Sequence, residues 1–252
     1  MKFASLGSGS EGNALLVSAG NTCVLMDCGF GLNETVVRLA RLGILPEQLS
    51  GILVTHEHGD HARGVARFAR KFGLTVWLTH GTLRGVQPGE FPAREIDPHA
   101  VFAIGDLEIT PYPVPHDAAE PVQFVFGDGQ RQLGVLTDAG CSTPHIEKIL
   151  NGCDALVLEC NHDREMLLCG QYPASLKQRV GGRLGHLSND QAADILGRIE
   201  TRNLQHLVAA HLSAQNNQPS LAVAALSRVV GCDADWIGVA TQAEGLDWRE
   251  IV

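Results

Sequence analysis

The chain has 252 residues, 44% of them hydrophobic and 19% charged, with 11 histidines and a formal charge of −9. A chain this long buries about 70–75% of its unfolded surface and needs no disulfide framework, and its hydrophobic content excludes a disordered polymer. The acidic balance excludes a broad basic face for coating nucleic acid, while leaving a local anion site open.

Residues 1–7 lack the apolar core of a signal peptide and no run reaches 18 apolar residues, so a cytoplasmic protein is expected. Residues 14–17 and 22–26 read as strands, the second running into Asp27-Cys28-Gly29. Val36, Leu39 and Ala40 have helical spacing, with Gly43 placed to stop that helix. Residues 51–55 form a short apolar strand leading directly into His56. Val65, Phe68, Ala69 and Phe72 fall at i, i+3, i+4 and i+7, which predicts an amphipathic helix, and 75–78 returns as a strand.

The Pro- and Gly-broken stretch 85–121 reads as loops and short strands such as 107–109. Strands follow at 123–126, 133–137 and 155–159. Ser188 and Gln191 form a capping box that opens a helix with Ala192, Ile195, Leu196 and Ile199 on one face. Residues 207–210 make a strand ending at His211, and Pro219 suits the first turn of a last helix. Early hairpin-like strands and later strands alternating with helices predict an α/β protein. Its two sheets are covered by helices in a single domain over residues 1–252. The seven cysteines hold no CxxC pair and are expected as reduced thiols; Cys28, before a glycine, and Cys160, after an apolar run, are placed to flank a site, with no partner spacing that makes either a ligand.

The densest chemistry is Thr55-His56-Glu57-His58-Gly59-Asp60-His61, between a strand and a helix. Where a strand ends, residues i and i+2 point the same way, so His56 and His58 converge on one ion. The turn into the helix sends Asp60 and His61 toward a neighbouring ion. Imidazole and carboxylate together suit zinc, manganese or iron.

This HxHxDH motif after a strand resembles that of the metallo-β-lactamase-fold hydrolases, and the resemblance extends over essentially the whole chain. It implies an αββα four-layer sandwich and two divalent metal ions. It also implies further ligands in a fixed order, which Pro115-His116-Asp117, Leu136-Thr137-Asp138 and Ala210-His211-Leu212 supply. His56, His58, His116 and Asp138 would then hold one metal, and Asp60, His61, Asp138 and His211 the other. An assignment with His186 in place of His211 is disfavoured by the strand before His211. Gly7-Ser8-Gly9-Ser10-Glu11-Gly12-Asn13, Glu159-Cys160-Asn161-His162-Asp163 and Gly185-His186-Leu187-Ser188-Asn189 look like segments of the YycJ/WalJ (VicX) group. That group is linked to DNA processing by 5′→3′ exonucleases.

The resemblance implies a phosphodiesterase using a metal-bridging hydroxide oriented by Asp60, with nucleic acid, DNA more than RNA, as substrate. His186 lies where related tRNA 3′-processing endonucleases carry a phosphate-contacting histidine, just before a helix start, and is expected as general acid or phosphate ligand. Ser8 and Asn13, in a Gly-rich turn with Ser10, are expected to meet phosphate, and His162 to contact substrate or to bond locally. Asp27 is expected to orient a ligand histidine. His80, His99, His145 and His206 match no motif and read as ordinary polar positions. Arg63, Arg67, Arg70 and Lys71 form a basic helix face that is either solvated or steers a polyanion. The competing functions are a thioester hydrolase of the glyoxalase II kind and a phosphodiesterase for a small cyclic phosphodiester. The separation of 73 positions from Asp138 to His211 leaves no room for the large insertion of β-CASP nucleases.

Overall fold

The apolar runs fold into two seven-stranded sheets in a computed structural model that describes residues 1–86 and 91–252. The first sheet contains β1 (Lys2–Gly7), β2 (Ala14–Ala19), β3 (Thr22–Met26), β4 (Gly51–Leu53), β5 (Val76–Leu78) and β6 (Ala93–Glu95). The second contains β7 (Phe102–Ile104), β8 (Leu107–Pro113), β9 (Val122–Gly127), β10 (Gln132–Leu136), β11 (Ala155–Glu159), β12 (His206–Ala210) and β13 (Gly238–Val239). The last strand, β14 (Leu246–Glu250), returns to the first sheet beside β1. The strand orders are β14-β1-β2-β3-β4-β5-β6 and β13-β12-β11-β10-β9-β8-β7.

The helices are α1 (Leu32–Arg41), α2 (Gly59–Ala62), α3 (Val65–Phe72), α4 (His80–Gly85), α5 (Pro144–Leu150), α6 (Arg164–Cys169), α7 (Ala174–Val180), α8 (Asn189–Leu196) and α9 (Pro219–Val230). Of these, α1 and α3 form one outer layer and α5, α8 and α9 the other. Alternation within the strands decides which side chain meets which layer. In β3, Val24 and Met26 point between the sheets, against Ile109, Phe124, Phe126, Val157 and Val208. Cys23 and Leu25 point outward, to a layer holding Leu39 of α1 and Val65, Phe68 and Ala69 of α3. On the far side Leu156, Leu158, Leu207 and Ala209 meet Ile146, Ala192, Ile195 and Leu226 of α5, α8 and α9. The strands buried on both faces read as continuous apolar runs, as parallel strands do. The four-layer αββα sandwich is therefore present.

Two features of this order place the site. β3, β4 and β5 run parallel in one sheet, and β10, β11, β12 and β13 in the other. The residues that follow β3, β4, β10 and β12, together with the last residue of β11, gather at one edge, the carboxyl ends where α/β sheets bind ligands. The predicted stop at Gly43 has the left-handed conformation (φ 73°), and the Ser188–Gln191 capping box is formed. Three strands escape the sequence reading: β1, β13 and β14. β1 and β14 come from opposite ends of the chain and are made by pairing Lys2 with Glu250. Part of the stretch read as loops and short strands, residues 87–90, lies outside the described residues.

Among the described residues no helix is long and apolar enough to cross a membrane. All seven cysteines are free, and burial pushes the Cys28 and Cys153 thiols up to about 12. Cys28 and Cys160 serve the strand ends through their backbones: Cys28 N–H donates to His61 O (2.8 Å) and Cys160 N–H to Ala210 O (2.9 Å).

Candidate metal centre

The left-handed backbone region is costly for any residue with a Cβ, by about 1–2 kcal/mol. Among the described residues three non-glycine positions occupy it: Asp27 (φ 63°), Asp138 (φ 52°) and His211 (φ 55°). They follow β3, β10 and β12, and each turns its side chain at the shared sheet edge. Strain of this kind collects where a site needs it.

Five histidines and two aspartates converge there in two adjoining groups, and a third group, Asp138, Glu159, His186 and His211, overlaps the second. The facing ligand atoms of His56, His58 and His116 lie within 4.8 Å of one another, as do those of Asp60, His61, Asp138 and His211. In the second group His61 Nε2 stands 3.1 Å from Asp138 Oδ2 and 3.4 Å from Asp60 Oδ2. His211 Nε2 stands 3.6 Å from Asp138 Oδ1, and His116 Nε2 of the first group 3.9 Å from that same oxygen. Asp138 thus touches both groups.

Each histidine gives one ring nitrogen to the protein and keeps the other for the centre. His56 uses Nδ1 on Thr55 Oγ1 (3.0 Å), whose hydroxyl in turn donates to Asp27 Oδ2 (2.9 Å). His58 donates Nε2–H to Asp117 O (3.2 Å), and His116 donates Nδ1–H to Gly185 O (3.0 Å). His61 donates Nδ1–H to Asp27 Oδ2 (2.8 Å), and His211 donates Nδ1–H to Glu159 Oε1 (3.1 Å). These bonds fix the tautomer and leave a lone pair aimed inward, the arrangement of metal-ligating histidines. His56 Nε2, Asp138 Oδ2 and His211 Nε2 are buried without a hydrogen-bond partner among the described residues. Buried polar atoms are rarely orphaned, and a cation is what this set lacks.

The charges carry the same demand. Burial alone would raise the Asp138 and Asp60 carboxyls, yet His211 and His61 hold both well below the ordinary carboxylate range. Burial opposes charge on His61 and His211, but the carboxylates pull both up, His211 to about 10. Buried carboxylates here attract whatever positive charge is at hand, and divalent ions fit the donor set.

Asp27 lies behind His61 and Thr55. Glu159, the last residue of β11, is the residue the sequence reading missed. It is fully buried, its Oε1 accepts from both His186 Nδ1 (2.8 Å) and His211 Nδ1, and its Oε2 accepts from Ala139 N–H (3.0 Å). The signal was an acid closing an apolar strand, as Asp27 closes β3.

Ser8 and Asn13, expected to meet phosphate, and His162, expected to contact substrate or to bond locally, are all buried. Ser8 Oγ accepts from His211 N–H (2.9 Å). Asn13 Nδ2 donates to Gly9 O (2.9 Å), and its backbone N–H donates to Asp60 O (2.8 Å). Their polar atoms hold the ligand loops, and Ser10 of that turn is the one that reaches the cleft. His162 lies beneath the cleft, its carbonyl accepting from Asn189 N–H (2.9 Å). His80, His99, His145 and His206 belong to neither histidine group; His80 pairs with exposed Glu95 (3.0 Å) and His206 bonds Glu250 O (2.7 Å).

Above the two groups opens a cavity of about 440 Å³, lined by His58, Asp60, His116, Asp138, His186 and His211 and, on another wall, Tyr172, Leu176 and Arg179. Fold, paired ligand groups and cleft define a metal-dependent hydrolase. The chain belongs to the β-lactamase superfamily: the family model described as "Beta-lactamase superfamily domain" matches residues 22–211.

It is 35% identical over 257 residues to the exodeoxyribonuclease YycJ of Bacillus anthracis, covering 98% of this chain and 96% of that protein. It is 32% identical over 228 residues to the exodeoxyribonuclease WalJ of Streptococcus pneumoniae, covering 88% and 85%. Two solved structures share the fold. The metallo-β-lactamase fold protein YhfI of Bacillus subtilis has a TM-score of 0.76 at 16% identity, covering 99% of both chains. Zn²⁺-bound PqqB of Methylobacterium extorquens has a TM-score of 0.74 at 18% identity, covering 99% and 100%.

Proposed function

We propose that the chain is a dinuclear metal-dependent phosphodiesterase, a nuclease that degrades DNA from an end. The observation carrying this reading is the pair of adjoining ligand groups, with Asp138 of one 3.9 Å from His116 of the other, on the floor of an open cleft, in a chain alike over nearly its full length to proteins named exodeoxyribonucleases. His56, His58, His116 and Asp138 would hold one ion, and Asp60, His61, Asp138 and His211 the other, with zinc, manganese and iron all compatible with the donors. Such ions, when bound, supply an activated water and neutralise charge on the phosphodiester.

The chain's own residues do the rest. Asp60 would orient the attacking water by accepting a hydrogen bond from it, its carboxyl kept ionised by His211 and His61. Glu159 aligns His186 on the cleft wall and favours its protonated form, so His186 is set to protonate the departing oxygen.

Metal-reconstituted protein is incubated with 5′-phosphorylated DNA, RNA, bis-p-nitrophenyl phosphate and S-lactoylglutathione. The expected result is mononucleotide release from DNA. Thioester turnover with no phosphodiester cleavage would overturn the reading.

A further inference from the structure

One wall of the cleft is basic although the chain as a whole is acidic. From Met166 to Asn189 there is no Asp or Glu, and Lys177, Arg179 and Arg183 stand there, in a chain of formal charge −9. The middle of this segment, Tyr172 and helix α7, lines the same cavity as the metal groups through Tyr172, Leu176 and Arg179.

Arg179 is held along one edge. Its Nε donates to Asp117 Oδ2 at 2.6 Å, while the side chain stays 62% exposed. Asp117 is itself anchored, its N–H donating to Leu184 O (3.0 Å) and its carbonyl accepting from His58 Nε2. The two terminal amino groups of Arg179 have no partner among the described residues. An arginine oriented this way offers its remaining N–H groups as a fork to a phosphate. The ion pair also offsets the Asp117 charge, which alone would repel a polyanion from this wall. Tyr172 is half-buried on the same wall, and its hydroxyl makes no hydrogen bond among the described residues. A ring so placed suits stacking by an unpaired base.

We propose that Arg179 and Tyr172 form a subsite for the nucleotide beside the scissile bond, Arg179 taking that nucleotide's phosphate and Tyr172 stacking on its base. The ligand class is the unpaired end of a DNA strand. This assignment rests on the nuclease reading and names the part of the cleft that grips the strand.

The test measures binding of a fluorescein-labelled single-stranded oligonucleotide by anisotropy across a salt series, with cleavage kinetics and metal content on the same metal-loaded proteins. Arg179→Ala is expected to weaken binding about tenfold and to lower the slope of log K against log salt by about one, the signature of one lost phosphate contact. Tyr172→Ala is expected to weaken binding by about 5- to 100-fold with the slope unchanged. KM rises in step with Kd in both. Lys148→Ala removes an exposed cation that does not line the cleft and leaves affinity and slope as they were. Unchanged affinity and slope in Arg179→Ala overturn the subsite, as does loss of metal, which would show Arg179 acting through Asp117 and His58. If the unaltered protein cleaves bis-p-nitrophenyl phosphate or the thioester but neither binds nor degrades DNA, the nuclease reading fails first.

Discussion

His186 and His211 share one carboxylate oxygen, Glu159 Oε1, at 2.8 and 3.1 Å, but their surroundings differ. His211 is buried and its free nitrogen faces Asp60 and Asp138, whereas His186 stands on the cleft wall with 21% of its side chain exposed. The two should therefore respond differently to removal. His186→Ala is expected to lower kcat by about 10²- to 10⁴-fold while metal content stays full. Asp60→Ala should lose both activity and bound metal. Metal analysis of the purified variants separates the cases, and a His186→Ala protein that loses an ion would make His186 a ligand. His162, one strand end away, has a different sensitivity. Burial pushes its imidazole down from 6.5 to about 4, so between those pH values only the unfolded chain takes up the proton. Stability is therefore lost as pH falls from 6.5 to 4, by roughly 3 kcal/mol, and is unaffected above that range. Denaturation of the protein beside His162→Gln across pH 4–8 checks this. The curves should differ in slope only within the window, and parallel curves would refute it.

Strand ends and the loops that follow them do the positioning, and they pack without spare room. Gly29, just past β3, lies so close to the α2 turn that an added Cβ would sit 1.8 Å from Asp60 O and 2.8 Å from Asn13 N. Gly29→Ala must push the Asp60 loop away. We expect a destabilisation of roughly 1–3 kcal/mol together with weakened metal retention, read by thermal melting and by metal analysis after dialysis. A variant that keeps its ions and activity would show the loop to be more yielding than the packing implies. The motif in this loop was legible because its ligands are local, six residues between an apolar strand and a helix. The apolar strands and the Ser188 cap were legible for the same reason. β1 and β14 were not, since their pairing joins the two ends of the chain. Glu159 was hidden because a strand-closing acid looks the same whether it meets water or two histidines. Ser8 and Asn13 were placed in the right turn, but sequence does not say that their side chains face inward. Tyr172 and Arg179 reach the cleft through the α7 fold alone, and no spacing links them to the HxHxDH motif.

At the scale of the molecule the centre lies across the junction of the two sheets. His56, His58, Asp60 and His61 follow β4 in one sheet, while Asp138 and His211 follow β10 and β12 in the other. Ions bound by both groups would tie the sheets together at one edge and offset part of the −9 charge where its carboxylates are most crowded. Ligands that bind only the folded state stabilise it by mass action, by about 2.7 kcal/mol at a concentration one hundred times Kd. For a chain of this size 1 kcal/mol moves Tm by about 2–4 °C, so stripping the ions should lower Tm by about 5–10 °C. Differential scanning calorimetry before and after chelation, and again after restoring zinc or manganese, measures it. Asp138→Asn provides the control, since it removes the carboxylate proposed to bridge the two ligand groups and should reproduce the stripped protein's Tm with metal present. If chelation abolishes activity but leaves Tm in place, the ions serve the chemistry without joining the sheets, and the packing between β3 and β10–β12 holds that edge unaided.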